Sequence, residues 1–261
     1  MKLTEEQIGF YLENGYLTGL PPVFTGDKLT ELQQGYKRIT GLLQEDENPS
    51  DIMQWHRTSR WLYDVAVEPQ LLDYVESLLG PNFYLWGSEF IVKAPHSPKI
   101  VPWHQDAYYW PLSPHHTVTV WIALWDVDEE NGAMQVIPKS HKAGIIKHRL
   151  AGDDSVLSFE LEQGRFSTED AVTLSIPAGG CSLHDDAIVH GSTGNGSDRW
   201  RVGYILRYSA TEVRCDLERN PAFLSYLVRG VDEFRHNPQG VVPVEPFGRP
   251  PFSKRIRQTS E

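Results

Sequence analysis

The sequence predicts a mainly β fold with helices gathered at its start. Over about residues 1–80, apolar side chains recur at helical spacing between recognisable caps. From about residue 81 to 210, short runs of β-branched and aromatic residues alternate with Gly and Pro. No linker, repeat or low-complexity tract divides the 261 residues, which are therefore expected to form one domain, 1–261. Helices packed on a double-sheet core, a sandwich or barrel, follow from that order of elements.

Thr4 with Gln7 forms a capping box ahead of Ile8, Tyr11 and Leu12, and Asn14-Gly15 supplies the stop. A second helix is expected over about Asp27–Leu43, with Leu29, Leu32, Tyr36 and Ile39 on one face. A third opens at Glu68-Pro69 and ends at Gly80. Between them, Gln54-Trp55-His56-Arg57-Thr58-Ser59-Arg60-Trp61 reads as a loop; it is a candidate lid through Arg57, or a plain solvated loop. Strands are expected at 82–93, 117–127, 134–137, 171–176, 180–183, 187–189 and 201–208, and the Pro-rich chain beyond Asn237 as an irregular tail.

Composition excludes several classes. A net charge of −11 repels a phosphate backbone, so nucleic acid is not expected as a partner. No run reaches the roughly 18 apolar residues of a membrane helix, and the first residues lack a secretory signal's apolar core. Two cysteines, Cys181 and Cys215, do not make a disulfide framework and are expected as thiols in a cytoplasmic protein.

The densest chemistry lies in Trp103-His104-Gln105-Asp106. On a strand, residues two apart point to one side, so His104 and Asp106 can reach one metal ion. His190, at the end of Ile188-Val189, offers a third ligand; two His and one carboxylate leave adjacent positions open on a non-haem Fe(II). His184-Asp185-Asp186 supplies a second His-x-Asp pair, and such a pair alone is weak evidence.

Four stretches in order carry a resemblance. They are Trp103–Asp106, Trp121–Gly132, Gly132–His141 and His190–Arg201, preceded by Leu3–Gln7 and Asn14–Leu17. Together, over about residues 3–209, they resemble the phytanoyl-CoA dioxygenase family of Fe(II)/2-oxoglutarate oxygenases. The resemblance implies a double-stranded β-helix, a cupin-like jelly roll, with flanking helices. It implies Fe(II), 2-oxoglutarate and O2 as cofactors, His104, Asp106 and His190 as metal ligands, and His184 and His141 as scaffold. It places Arg201 and Ser192 on the far carboxylate of 2-oxoglutarate, where a planar guanidinium suits bidentate binding. Trp121 lines the cosubstrate pocket or is plain core. Gln105 is counted among the cofactor-binding residues, although strand alternation turns it to the other face unless the chain bends. The other histidines, His56 and His148 among them, are expected in loops or at strand ends.

The implied reaction is hydroxylation of a small metabolite or natural-product intermediate, releasing succinate and CO2. An intact Asp106 favours this over halogenation. Desaturation, cyclisation, epimerisation and a non-catalytic jelly-roll metal-binding module are the alternatives. Tyr108, Trp110 and Trp86 are candidate pocket walls, with core packing as the plain alternative for aromatic residues. Lys93 either approaches the site from the preceding strand or stands exposed, the simpler reading. A monomer or homodimer acting on a small molecule, without membrane association, is expected.

Overall fold

The computed structural model describes residues 1–251 apart from Asp153, Asp154, Val156, Gln163 and Arg165. Four helices precede the β core: α1 (Glu5–Asn14), α2 (Gly26–Thr40), α3 (Arg60–Ala66) and α4 (Pro69–Leu79). The capping box at Thr4 forms as expected, with Gly15 in the left-handed region closing α1. α2 stops at Thr40, short of Leu43, where Gly41 takes over as cap.

The strands are β1 (Tyr16–Leu17), β2 (Phe83–Lys93), β3 (Val101–His104), β4 (Leu112–Ser113), β5 (Thr117–Ala123), β6 (Gln135–Val136) and β7 (His148–Leu150). β8 (Phe159–Leu161), β9 (Val172–Thr173), β10 (Cys181–Asp185), β11 (His190–Ser192), β12 (Arg201–Ala210), β13 (Arg214–Cys215) and β14 (Tyr226–Arg229) complete the series. A six-stranded antiparallel sheet runs β1-β10-β5-β12-β2-β14, and a four-stranded sheet runs β3-β11-β6-β9. The fold is a mainly β jelly roll with flanking helices.

Alternation decides what each strand of the larger sheet shows to either side. Val202, Tyr204, Leu206 and Tyr208 of β12 join Val118, Val120 and Ile122 of β5 in one hydrophobic cluster with the helices. Arg201, Ile205 and Arg207, with Thr119 and Trp121, face a cavity on the other side. Every residue of β12 is buried, because both faces are covered. The outward tyrosines also close α3: Tyr208 Oη donates to Ala66 O (2.6 Å) and Tyr204 Oη to Leu62 O (3.3 Å).

Three expectations change. The 54–61 segment is not a loop over the site: Trp55–Arg57 forms a 3-10 turn, α3 begins at Arg60, and Trp55 and His56 are fully buried. Residues 187–189 form a turn leading to β11. β1 and β14 add edges to the large sheet that short sequence runs did not announce, since their pairing partners lie far away in the chain. The tail is irregular from 238 to 251, the part described, and its Phe247 stacks on Trp61 at 5.7 Å. Cys181 and Cys215 are free, buried thiols. Among the described residues, no helix is long and apolar enough to cross a membrane.

Candidate active site

β3 and β11 pair so that His104 and His190 stand directly opposite each other, with ring centroids 4.1 Å apart. Strand geometry ends at His104, but Gln105 stays extended (φ −119°, ψ 129°), so Asp106 still emerges on the side of His104 before a 3-10 turn begins. The ligand atoms of His104, Asp106 and His190 all lie within 4.8 Å of one another. His104 Nδ1–H donates to Pro102 O (2.8 Å) and His190 Nδ1–H to Ile188 O (3.0 Å). Those bonds fix the tautomer and leave each Nε2 lone pair for a metal. Two imidazoles and a carboxylate beside an open cavity are the donor set of a facial Fe(II) site, so these residues fit the ion.

Burial opposes ionisation of Asp106, yet His104, His184, Arg207 and His190 outweigh it and hold the carboxyl well below the usual range. One carboxylate oxygen faces His104 Nε2 at 3.6 Å; the other takes a bond from Thr119 Oγ1 (3.4 Å) and lies 3.8 Å from His184 Nε2. His184 is buried with both ring nitrogens unpartnered, and lines the cavity outside the three-residue cluster.

Farther in, Arg201 is 2% exposed. Among the described residues its guanidinium makes one hydrogen bond, to Ser192 Oγ at 3.3 Å, and its Nε has no partner. Burial lowers its pKa to about 10. The cation lies 5.1 Å from the Trp121 ring. That ring fits only because position 203 is glycine: a Cβ there would come 2.0 Å from Trp121 Cζ2. Lys93 is not exposed, contrary to the simpler expectation. It is buried, and its Nζ donates to Ser192 Oγ (2.8 Å) and to Thr193 O. Burial and the nearby Arg201 push its pKa down to about 6. Ser192 accepts from both side chains, which leaves its own proton to donate to a third group.

Gln105 is a correction. Its side chain points away from the cavity, donating to Ala187 O (2.6 Å) and Gly144 O (2.9 Å) and accepting from Ile146 N (2.7 Å). It clamps the backbone behind the ligand pair and does not reach a cofactor. Its own N–H donates to His148 Nε2 (3.1 Å). His148 is therefore buried inside the structure, and burial lowers its pKa to about 4. His148 opens β7, at a strand end as expected, whereas His56 lies in the Trp55–Arg57 turn, fully buried against Ser88.

The cavity of about 610 Å³ receives Trp110 and Trp86, as expected, and Tyr109 in place of Tyr108. Tyr108 turns outward to stack on His148 at 4.0 Å. Arg57 does not line the cavity; it donates to Ala222 O (2.8 Å) and braces that segment from behind. The sequence reading missed Glu89, Arg207 and Phe223. Period-2 counting from Lys93 and from Arg201 reaches Glu89 and Arg207. No local pattern announces Phe223, which arrives from a distant loop.

The family profile described as phytanoyl-CoA dioxygenase (PhyH) matches residues 11–203. Peroxisomal phytanoyl-CoA dioxygenase of Mus musculus is 25% identical over 238 residues, 82% of this chain and 70% of that protein. A probable alpha-ketoglutarate-dependent hypophosphite dioxygenase of Stutzerimonas stutzeri is 26% identical, covering 79% of each chain. The non-heme monooxygenase ThoJ, in its apo form, superposes with a TM-score of 0.75 at 26% identity, covering 92% of this chain and 90% of its own. With a profile match over most of its length and the His-Asp-His cluster in place, the chain belongs to the phytanoyl-CoA dioxygenase family of Fe(II)- and 2-oxoglutarate-dependent oxygenases.

Proposed function

We propose that the protein hydroxylates a small molecule using Fe(II), 2-oxoglutarate and O2, with the whole chain acting as one catalytic domain in a reducing, cytoplasmic setting. The buried Arg201, facing the cavity without a carboxylate partner among the described residues, carries this reading. An uncompensated buried guanidinium is unfavourable unless an anion completes it. A metal-binding module without a cosubstrate has no use for it.

In this reading His104 Nε2, His190 Nε2 and Asp106 hold the iron. Arg201, Ser192 and Lys93 grip the far carboxylate of 2-oxoglutarate, with Trp121 as its wall. With iron and cosubstrate bound, decarboxylation of 2-oxoglutarate to succinate and CO2 supplies the oxidant for C–H hydroxylation. The buried walls exclude water, and Trp86, Trp110 and Tyr109 hold the substrate over the metal. Gln105 keeps the ligand pair in register from behind.

The test is anaerobic addition of Fe(II) and 2-oxoglutarate, which is expected to raise a visible charge-transfer band. His104→Ala and His190→Ala lose the band, whereas His184→Ala keeps it. A folded, iron-loaded wild type with no band refutes the oxygenase reading, and loss of the band in His184→Ala refutes the ligand assignment.

A further inference from the structure

Cofactor binding leaves one charged pair in the cavity wall unused. Arg207 Nη2 donates to the Glu89 carboxylate, and both side chains line the cavity that holds the His-Asp-His cluster. Glu89 is 3% exposed and Arg207 9%. The Arg207 Cζ sits 4.9 Å over the Trp110 ring, and its Nε lies 4.0 Å from Asp106 Oδ2 without a hydrogen-bond partner. Trp86 meets Trp110 edge-on at 4.8 Å and Phe223 at 5.6 Å, so an aromatic wall adjoins the pair.

The backbone accommodates this arrangement in two ways. Pairing between β12 and β2 runs Arg207 to Gly87 and then Tyr208 to Leu85, skipping Trp86. The skipped residue lets Trp86 and, two positions beyond Gly87, Glu89 both face the cavity. Gly87 also makes room: a Cβ there would stand 3.0 Å from Arg207 Cδ.

A buried ion pair is a poor way to stabilise a wall, since apolar side chains of similar volume do as well or better. A wall for an apolar substrate would gain from that exchange. A substrate bearing only an anion would reach Arg207 but lie against Glu89, and one bearing only a cation would suffer the converse. A molecule carrying both charges a few bonds apart sets each against its opposite. Resting on the oxygenase reading, we propose that the substrate is a small zwitterion of the amino-acid class, its carboxylate on Arg207, its ammonium on Glu89 and its hydrocarbon against Trp86 and Trp110 beside the metal.

The test uses the anaerobic protein with Fe(II) and 2-oxoglutarate, read by thermal stability and by change in the charge-transfer band. The probes are the protein amino acids and glycine betaine, each amino acid compared with its N-acetyl form, which lacks the cation, and its amide, which lacks the anion. At least one zwitterion is expected to raise Tm and shift the band. Its N-acetyl and amide forms bind at least about tenfold more weakly, the effect of one lost charge-assisted hydrogen bond. Glu89→Gln narrows the gap between the zwitterion and its N-acetyl form. Glu89→Leu combined with Arg207→Met removes both charges of the pair together and loses zwitterion binding at least about tenfold, with the band recorded alongside. The proposal is overturned if no zwitterion binds, if a charge-neutralised form binds equally well, or if the double variant retains binding. Loss of the band in the double variant also overturns it, assigning Arg207 to the support of Asp106. A wild type stabilised by a zwitterion yet lacking the band keeps this inference and sinks the oxygenase chemistry instead.

Discussion

Replacing Arg201 by Met should stabilise the cosubstrate-free protein while crippling its affinity for 2-oxoglutarate. The guanidinium is buried with an unpartnered Nε, and burial lowers its pKa from 12.5 to about 10. That shift corresponds to roughly 3 kcal/mol of unfavourable charge burial. Among the described residues no carboxylate pairs with it, so removal strands no anion. Methionine keeps much of the stem against Trp121. Stability of the free protein is therefore expected to rise by up to roughly 3 kcal/mol, a Tm increase of several degrees. Binding moves the other way. Truncating one partner of a buried charge pair costs about 2–5 kcal/mol, which is about 30-fold to a few thousand-fold in affinity. The lower end is expected, because Lys93 and Ser192 remain. Anaerobic titration of the charge-transfer band with 2-oxoglutarate gives the affinity, and thermal unfolding without cosubstrate gives the stability. A variant with lowered Tm and unchanged 2-oxoglutarate affinity would show that Arg201 is a structural cation, refuting the reasoning.

Gly203→Ala places a methyl 2.0 Å from the Trp121 ring, itself buried, and is expected to destabilise by about 1–3 kcal/mol and to raise the KM for 2-oxoglutarate; unchanged values for both would show that the ring moves freely. His56 stays neutral in the fold because burial lowers its pKa to about 3, and the nearby Arg57 adds to this. Its unfolded form protonates below about pH 6.5, so stability is complete above that pH and falls as pH drops toward 3, by about 1.4 kcal/mol per pH unit. His56→Phe should flatten that slope in urea unfolding measured across the window; an unaltered slope would assign the acid sensitivity elsewhere.

The candidate metal-ligand cluster was legible because its spacing is local. His104 and Asp106 lie two residues apart on extended backbone, and His190 closes a β-branched run at a glycine. Arg201 and Ser192 were legible through the motif that joins them. Lys93 was not, because a lysine at a strand end looks solvated until the Ser192 hydroxyl and Thr193 carbonyl fold over it. Tyr109 rather than the expected Tyr108 faces the cavity because Asp106–Tyr108 forms a 3-10 turn, which adjacent tyrosines do not signal. Gln105 shows the opposite case, where plain strand alternation gave the correct orientation and the cofactor assignment did not.

By itself, then, the sequence determined the caps of α1, the succession of helices and then strands along the chain, and the candidate ligand cluster, since each depends on short stretches of the chain. The tertiary structure decided which charges and rings share the cavity. Trp86 joins Glu89 and Arg207 in the cavity because pairing between β2 and β12 skips it, a register set by contacts more than one hundred positions apart in the chain. Local periodicity carries no information about such a slip, and a single skipped residue exchanges the faces of everything beyond it.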